Sequence, residues 1–471
     1  MANPFDLKLD RRAKQSLSDQ IRRGIGSAIE NGALVPGARL PSWQDLAARL
    51  GVSRGTVRIA YDKLLAAQLV EVSRATGTRV AGRPPRAGTN PDIPPDPGSF
   101  MEFYQDLLQG PAVFQNGVPG ASSFPATLMA RIRAQAVRLE TSGPPIYPDI
   151  RGEIDLRREI AAYLAIARGI DCSPAQVFVT AGFSGALGLA LRALGLEGEK
   201  AWSEEPGYPF ARRGLELARL SAVSVPVDEC GIDVDYGIDH HPDAKLVMVT
   251  PGQQAPLGAT LSLERRLRLL DWATERGAWI IEDDYLSDLQ LVGRAAPALA
   301  SLDRGGRVIH IGSFSKTISP TLRLGFMVVP AALVPCVFEV AACLNPPPGP
   351  AVQFAIAEFM REGHYMRHLR RTKRVYSAQR DALLENLHRH IPPGRLSVAG
   401  LGVLLQLPDT SSDLSVVREA LAFGMAPAPL SSWYAGSEGR RSGLVLGIAT
   451  APQRQLDGLC DRLCGLVSRF G

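Results

Sequence analysis

The sequence lacks the long apolar runs that mark membrane-spanning proteins. Among its 471 residues, no stretch reaches the about 18 consecutive apolar residues that a helix needs to cross a bilayer. The N-terminal stretch MANPFDLKLDRRAKQ carries charges and no apolar segment, so it does not resemble a secretory signal. We therefore expect a cytoplasmic protein that has no membrane partner.

Cysteine is also scarce, with six residues scattered along the chain. They form no CxxC pair and no metal-ligand cluster, and a chain of this length does not depend on disulfides to fold. Cys460 and Cys464 are one helical turn apart, a spacing more typical of a core face than of a redox pair. The pattern favours a reducing compartment and a protein without a metal site.

Two nucleotide-binding motifs are missing as well. No GxGxxG motif follows the first predicted strand, which argues against NAD, and no P-loop is present, which argues against ATP. Any cofactor must therefore be held by a different arrangement of residues.

The charge of the chain is concentrated at one end. The net charge is +5, but residues 1–80 alone carry 13 lysine or arginine residues against 7 aspartate or glutamate residues. The remainder is close to neutral. A basic head on a neutral body indicates an anionic partner for the head, and nucleic acid is the usual one.

A proline- and glycine-rich stretch separates the head from the body. AGRPPRAGTNPDIPPDPGS, residues 81–99, has no apolar period and a composition that favours extended polyproline II. A stretch of this length is more typical of a linker than of a surface loop. We predict a head over residues 13–81, a linker over 82–109 and a large domain over 110–471.

Short apolar runs alternate with amphipathic helical patterns in the large domain. The runs predicted as buried strands are QVFVT (176–180), KLVMVT (245–250), AWIIED (278–283), RVIHIG (307–312) and LGFMVVP (324–330). This alternation predicts an α/β fold with a parallel sheet covered on both faces. A long helical stretch follows NPPPGP (345–350), and GVLLQL and GLVLGIA are predicted strands of a small α+β subdomain.

The head has the pattern of a winged helix-turn-helix. Its first predicted helix has apolar residues four positions apart, at Leu17, Ile21, Ile25 and Ile29. In LPSWQDLAARLGVSRGTVRIAYDKLLAAQLV, Ser42 can cap a second helix, Gly51 can end it, and Ser53 can cap a third. VEVSRATGTRVA then predicts two strands around a turn at Gly77, which would form the wing.

The start of the third predicted helix is where a recognition helix meets base edges and phosphates in a major groove, and it carries Arg54, Gly55, Thr56 and Arg58. The other candidate DNA-contact residues lie at helix starts and on the wing: Arg39, Ser42, Gln44, Ser53, Arg74, Gly77 and Arg79. The stretch GARLPSWQDLAARLGVSRGTVRIAYDKL resembles the signature of the GntR family of bacterial regulators, which implies binding to double-stranded DNA. The family often has arginine where this chain has Gln44.

The stretch GSFSKTISPTLRLG, residues 312–325, places one lysine, Lys316, among hydroxyl residues, with Arg323 seven positions on. The ends of the other predicted strands carry complementary groups. Asp283 and Tyr285 follow one strand, Gly182 opens a helix after another, and Tyr208 lies in a third loop. An amine, a carboxylate, an aromatic ring and an anion site are the set that pyridoxal phosphate requires.

The large domain resembles the fold-type I aminotransferases, and the whole chain resembles the MocR family of regulators. The motifs that carry the resemblance are YPDIRGEIDLRREIAAYL, EEPGYPFAR, TPGQQAPLGATLSLERRLRLLDWA, IIEDDYLSD, GSFSKT and RLGF. The resemblance implies that Lys316 holds pyridoxal phosphate as a Schiff base, that Asp283 pairs with the pyridinium nitrogen, and that Tyr285 contacts the 3′-oxygen.

The resemblance also implies how the rest of the cofactor is bound. Ser313, Ser315 and Arg323 would bind the phosphate, together with backbone groups at Gly182, Phe183 and Ser184. Tyr208 would stack on the ring. Tyr147 would reach the phosphate of a neighbouring subunit, which implies a homodimer.

Two departures from the aminotransferases argue for a sensor rather than an efficient enzyme. Val445 stands where these enzymes hold the substrate carboxylate with an arginine, and Arg441 is out of register. Ala255 stands where their NPTG-like loop has its asparagine, and Gln253–Gln254 stand where MocR relatives often read His-Gln. Without the clamp, an ordinary α-amino acid would be poorly oriented for proton abstraction.

We therefore expect a regulator in which a small amine, such as an ω-amino acid or taurine, forms an aldimine and alters how paired winged-helix heads bind operator half-sites. Two alternatives are a regulator that senses pyridoxal phosphate itself and an active aminotransferase that regulates its own operon. The sequence leaves open the identity of the effector, the operator and target genes, the choice between activation and repression, and any residual transamination.

Overall fold

The computed structural model describes residues 5, 7–13, 15–73, 77–82, 101, 104–105, 112–293, 295–452 and 454–470. The chain separates into two compact units, Met1–Gly98 and Ser99–Gly471, and each is considered by itself. Most of the predicted linker, residues 82–109, lies outside the described residues.

The N-terminal unit contains the predicted helices, α1 (Leu17–Glu30), α2 (Trp43–Leu50) and α3 (Arg54–Ala66). The predicted caps are confirmed. Ser42 Oγ accepts a hydrogen bond from Asp45 N at 3.1 Å, and Ser53 Oγ accepts one from Thr56 N at 3.1 Å. Gly51 ends α2 with a φ of 63°, a left-handed conformation that glycine adopts without strain.

The wing is an antiparallel pair of strands, β1 (Val70–Ser73) and β2 (Gly77–Val80). Gly77, predicted at the turn, is the first residue of β2 and has a φ of 79°. Arg74 lies outside the described residues. The helices and wing share one core, and its most deeply buried residues include Ile21, Ile25, Leu46, Val57 and Leu64.

In the larger unit, eight strands of the described residues form one sheet in the order β3-β10-β9-β8-β7-β4-β5-β6. They are β3 (Val177–Thr180), β4 (Lys200–Glu205), β5 (Ser221–Asp228), β6 (Gly231–Ile232), β7 (Leu246–Val249), β8 (Trp279–Asp284), β9 (Val308–Ser313) and β10 (Gly325–Val328). The strands predicted from apolar runs are therefore present, within one or two residues of their expected ends.

The prediction of a parallel sheet is only partly right, because the sheet is mixed. Strands β5, β4, β7, β8 and β9 are parallel to their neighbours in that series. Strand β10 is antiparallel to both β9 and β3, and β6 is antiparallel to β5. Residues 314–324, between β9 and β10, include no α-helix, and a connection without a crossover helix returns the chain antiparallel.

Helices lie between and after these strands: α4 (Ala126–Ser142), α5 (Ile154–Ala167), α6 (Gly182–Leu194), α7 (Pro209–Leu217), α8 (Val234–His240), α9 (Leu263–Arg276), α10 (Val334–Leu344), α11 (Pro350–Arg361) and α12 (His364–His388). Separate apolar clusters pack on the sheet. One contains Leu187, Leu215 and Ile281, and another contains Trp202, Leu269 and Ile280. Because neighbours Ile280 and Ile281 point to different clusters, both faces of the sheet are covered.

The C-terminal part is the predicted α+β subdomain. A sheet of order β11-β12-β14-β13 is built from β11 (Leu396–Ala399), β12 (Gly402–Gln406), β13 (Ala428–Pro429) and β14 (Gly443–Gly447). Helices α13 (Asp413–Leu421) and α14 (Leu456–Phe470) accompany it. Cys460 and Cys464 lie on α14 and are buried in a third apolar cluster, with Leu383 and Leu446, as their spacing predicts. Among the described residues, no helix is both long and apolar enough to cross a membrane.

Candidate functional site

The predicted site residues of the large domain come from neighbouring strand ends. Asp283 lies at the end of β8 and Ser313 at the end of β9, and these two strands are parallel neighbours. Helix α6 begins at Gly182, directly after β3. The carboxyl ends of parallel strands meet at one edge of a sheet, where α/β proteins bind ligands.

The amine of Lys316 is buried within this edge. It donates a hydrogen bond to the carbonyl oxygen of Gly117, a residue that no sequence motif singles out. Gly117 has a φ of 77°, a left-handed conformation that favours glycine, and a Cβ built on it would lie 3.0 Å from Lys316 Nζ. Burial lowers the pKa of the Lys316 ammonium, and the Asp283 carboxylate opposes that shift. A lowered pKa favours the free amine, which is the nucleophilic form.

Asp283 is buried and has an unused acceptor. The residue is 6% exposed, and its Oδ1 has no hydrogen-bond partner among the residues that the structure describes. Burial raises the pKa of this carboxyl well above its ordinary value, and the neighbouring carboxylates of Asp284 and Glu204 add to the effect. A buried group in this condition is stabilised by a ligand that brings a positively charged N–H.

A candidate anion-binding site lies at the start of α6. Arg323 Nη2 donates to the carbonyl oxygen of Ala181 at 3.3 Å, directly before the helix. Ser315 Oγ lies 4.0 Å from a Cβ built on Gly182, and Ser313 Oγ accepts from the backbone N–H of Ser315 at 3.2 Å. The structure thus brings the predicted phosphate residues together at a helix N-terminus, which attracts anions.

Tyr208 is the predicted stacking residue. Its ring centroid lies 5.9 Å from that of Phe183 and 5.9 Å from that of Trp433. Burial raises the pKa of the Tyr208 phenol, and the Asp283 carboxylate adds to the effect, so the two side chains share one electrostatic environment. Phe183 and Ser184 occupy the first turn of α6.

The two other tyrosines of the predicted site, Tyr285 and Tyr147, differ in burial. Tyr285 follows Asp283 closely in the chain, and burial raises the pKa of its phenol. Tyr147 is 99% exposed, so within this chain the structure does not bring it to the other site residues. Its assignment to the cofactor of a neighbouring subunit stays a prediction.

These side chains fit pyridoxal phosphate. A buried amine, an unused buried carboxylate oxygen and an anion-binding site at a helix N-terminus are provided by Lys316, Asp283, and Arg323 with Gly182. The three groups correspond to the aldehyde, the ring nitrogen and the phosphate of that cofactor.

The loop after β7 adds residues whose contacts were not predicted. Glu204 accepts hydrogen bonds from Thr250 N at 3.0 Å, from Thr250 Oγ1 at 2.6 Å and from Gln254 Nε2 at 3.3 Å. Burial nevertheless raises the pKa of the Glu204 carboxyl to about 7. The loop is therefore attached to the end of β4 through one buried acid.

A buried cluster of ionisable side chains supports β8. It lies on the face of the strand opposite Asp283, because side chains alternate along a strand. Arg168 Nε donates to Asp284 Oδ2 at 2.6 Å, with both side chains almost fully buried. Glu282 Oε2 lies 3.0 Å from His310 Nδ1 on β9. Breaking one partner of such a pair leaves an uncompensated buried charge, which is strongly destabilising.

Helix α12 contacts the chain immediately after the lysine. His368 Nε2 lies 2.6 Å from the carbonyl oxygen of Thr317. Further along the same helix, the Tyr376 hydroxyl accepts a hydrogen bond from Gly120 N at 2.8 Å. Gly120 lies three residues after Gly117, so α12 holds both segments that meet at the lysine amine.

The position of the missing carboxylate clamp is apolar. Val445 is 1% exposed and belongs to a cluster with Ala399, Leu404 and Leu430, against which Leu257, Ala428 and Tyr434 pack. Leu257 comes from the loop after β7, so this face of the small sheet contacts that loop. Val445 therefore presents an apolar side chain here, and its correspondence to the carboxylate clamp stays a prediction.

The predicted DNA-contact residues lie mostly on the surface of the head. Arg54, Gly55 and Arg58 are exposed on the first turns of α3, and Thr56 is half-buried. Gln44 and Arg39 are both exposed. The hydroxyls of Ser42 and Ser53 are used as helix caps. Arg79 donates to Gly37 O at 2.9 Å, which fixes the wing strand against the chain before α2.

Comparison with known families identifies both units. The family of bacterial regulatory proteins called gntR matches residues 17–80. The family called aminotransferase class I and II matches residues 115–412, which is more than half of the chain.

Curated relatives match most of the length of this chain. The probable rhizopine catabolism regulatory protein MocR of Rhizobium meliloti is 34% identical over 94% of this chain and 92% of its own length. The pyridoxine biosynthesis regulator PdxR of Corynebacterium glutamicum is 32% identical, with 96% and 95% covered. The transcriptional regulator TauR of Rhodobacter capsulatus is 34% identical, with 82% of each chain covered.

Solved structures match the larger unit. The α-aminoadipate aminotransferase LysN of Thermus thermophilus, solved in complex with N-(5′-phosphopyridoxyl)-L-leucine, aligns with a TM-score of 0.69. It is 27% identical, and the alignment covers 78% of this chain and 95% of LysN. The architecture, the site geometry and these relatives lead to one conclusion: the chain belongs to the MocR family of transcriptional regulators, in which a GntR-type winged helix precedes a fold-type I aminotransferase domain.

Proposed function

We propose that this chain binds pyridoxal phosphate through Lys316 and responds to a small amine, and that this response controls binding of its winged-helix head to operator DNA. The observation that carries the proposal is the buried Asp283 carboxylate, whose Oδ1 has no partner among the described residues and whose charge acts on the buried Lys316 amine. An unsatisfied buried acceptor is destabilising, so this arrangement has no evident structural benefit to the unliganded chain.

When bound, pyridoxal phosphate supplies an aldehyde that reacts reversibly with amines and a ring that withdraws electrons. Lys316 would provide the protein's own amine, and Asp283 would keep a positive charge at the ring nitrogen. Arg323, Ser313 and Ser315 would fix the phosphate at the start of α6. Tyr208 would cover the ring, and Tyr285 would contact the 3′-oxygen.

The apolar surroundings of Val445 favour sensing over efficient transamination. An α-amino acid needs a cation for its carboxylate if its Cα–H bond is to be held in a reactive orientation. Valine packed against Leu404 and Leu430 offers none. Amines whose anionic group is remote or absent, such as an ω-amino acid or a taurine-like sulfonate, are therefore the proposed effector class. An amine of this kind would compete with Lys316 and release its side chain.

The test is a visible absorption spectrum of the purified protein, recorded again with a panel of amines and with keto-acid formation monitored in parallel. A spectrum changed by one amine without keto-acid product supports a sensor. Steady keto-acid production supports an active aminotransferase instead. A protein that takes up no pyridoxal phosphate contradicts the proposal.

A second candidate is a regulator that senses pyridoxal phosphate itself. It is favoured by the relative PdxR, which is named for pyridoxine biosynthesis and is 32% identical over 96% of this chain. In this case cofactor addition alone would change DNA affinity, and amines would have no further effect. For both candidates we propose a homodimer whose two heads bind paired operator half-sites.

A further inference from the structure

Two adjacent buried glutamines in the loop after β7 differ in their hydrogen bonding. The Gln254 side chain forms hydrogen bonds through both its nitrogen and its oxygen. Its Nε2 donates to Pro206 O at 2.7 Å, to Ala255 O at 2.8 Å and to Glu204 Oε2 at 3.3 Å, and its Oε1 accepts from Leu257 N at 3.0 Å. Gln254 therefore holds the loop in place, and its amide nitrogen is fully used within the protein.

Gln253 is buried without that satisfaction. It is 6% exposed, and its Nε2 has no hydrogen-bond partner within the described part of the chain. A buried amide donor without an acceptor is destabilising, so native proteins almost always provide one. An acceptor that arrives with a ligand would meet this requirement.

The location of Gln253 indicates which ligand atom that is. Gly400 has a φ of 61°, and a Cβ built on it would lie 3.1 Å from Gln253 Oε1 and 3.9 Å from the Tyr285 hydroxyl. The Gln253 carboxamide and the Tyr285 phenol therefore both lie beside Gly400. Tyr285 is the residue predicted to contact the 3′-oxygen of pyridoxal phosphate, and it lies two positions after Asp283.

The same oxygen lacks one donor in this chain. Aminotransferases supply it from the asparagine of their NPTG-like loop, where this chain has Ala255. The methyl group of Ala255 cannot donate a hydrogen bond. Gln253 lies two residues earlier in the same loop and carries the unused amide.

We propose that Gln253 donates from Nε2 to the 3′-oxygen of pyridoxal phosphate, beside Tyr285, and so replaces the missing asparagine. This inference rests on the proposed function, because it requires the cofactor at Lys316. Gln253 is a binding residue that tunes the cofactor, whereas Gln254 is structural. A hydrogen-bond donor stabilises an oxygen in its anionic form, so Gln253 lowers the basicity of the 3′-oxygen.

The test uses the full-length protein loaded with pyridoxal phosphate. Gln253→Met removes the donor and keeps an unbranched side chain of similar length. We expect the pH midpoint of its visible spectrum to rise by about one unit, and its affinity for pyridoxal phosphate to fall about tenfold, because one hydrogen bond to a charged oxygen is lost. Gln253→His keeps an N–H donor and should remain close to the wild type in both measurements.

A second variant covers the case in which the methionine protein does not fold. Gln253→Glu has nearly the same shape but replaces the donor with an anionic acceptor, and it should shift the midpoint upward by more than Gln253→Met. Circular dichroism checks the fold of each variant.

The outcomes separate this inference from the proposed function. If the wild type takes up no pyridoxal phosphate, the proposed function fails. If the wild type binds it and the folded Gln253 variants have unchanged midpoint and affinity, Gln253 does not contact the 3′-oxygen and the inference is overturned. A change confined to the response to added amines also overturns it, because Gln253 would then face the effector.

Discussion

The charged residues that we assign to function lie in opposite environments in the two units of this chain. On the head, Arg54 and Arg58 are exposed at the start of α3. In the larger unit, Glu204, Asp283 and Lys316 are held inside the protein, and burial shifts the pKa values of all three groups. Exposed cations act on an anionic polymer through long-range, salt-screened attraction. Buried groups act on one small ligand through hydrogen bonds and proton affinity.

This difference predicts different sensitivities. Changes in salt should affect the head, because counterions compete with arginine for phosphate. Changes in pH should affect the larger unit, because its buried acids and amine titrate away from their ordinary ranges. A substitution in the larger unit should therefore leave the salt dependence of DNA binding unchanged. A substitution in the head should leave the pH dependence of the larger unit unchanged.

The largest expected effect is that of Lys316→Ala. Removing the amine should abolish the visible absorption of protein-bound pyridoxal phosphate, because alanine offers no nucleophile for the cofactor aldehyde. Absorption spectra after dialysis measure this loss. Binding of the head to random-sequence duplex DNA should keep its wild-type salt dependence. A visible band that survives dialysis would remove Lys316 from its assigned role.

The next effect concerns Glu204 and pH. Burial raises the pKa of this carboxyl to about 7 from an ordinary value of 4.5, so the folded protein binds a proton that the unfolded chain releases between these limits. The contribution is fully present below about pH 4.5 and is lost as pH rises through about 7, a change of up to about 3 kcal/mol. Glu204→Gln should flatten this part of the stability profile.

Denaturant unfolding at several pH values, followed by tryptophan fluorescence, measures that profile. Trp202 lies on the same strand as Glu204 and stacks on Trp272 at 4.1 Å between ring centroids, so it reports on this region. Glu216→Gln, an exposed acid on α7, is the matched control. An unchanged profile for Glu204→Gln would show that Glu204 does not titrate in this window.

The smallest expected effect is that of Arg54→Ala or Arg58→Ala on DNA binding. Each should weaken binding to a random-sequence duplex about tenfold, and each should reduce the slope of log affinity against log salt by about 0.9, the value for one phosphate contact. Fluorescence anisotropy across a salt series measures both quantities. Arg192→Ala, an exposed arginine of the larger unit, serves as control. Affinity unchanged at every salt concentration would exclude both arginines from the interface.

Local structure was predictable from the sequence because its causes are local. Ser42 and Ser53 cap helices with their own hydroxyls, and Gly51 ends a helix with its own backbone conformation. The strand ends that carry Asp283 and Ser313 follow from short apolar runs bounded by polar residues. The predicted site could be assembled from such ends because parallel strands share an edge.

The remaining features depend on contacts between distant residues. The antiparallel insertion of β10 between β9 and β3 has no periodicity that would reveal it. Gly117 meets Lys316 across 199 positions, and Gln254 meets Glu204 across 50. Gln253 and Gln254 are the same residue type at adjacent positions. Only the folded structure distinguishes the amide nitrogen that is hydrogen-bonded from the one that is not.

Helix α12 links the lysine site to a point far from it in the larger unit. It has 25 residues, so it is a rod about 37 Å long, and His368 attaches its first turns to the residue after Lys316. A tilt of about 5° at that attachment would carry the far end through about 3 Å, as the length of such a rod requires. The length of α12 would therefore convert a small tilt beside Lys316 into a several-fold larger displacement at His388.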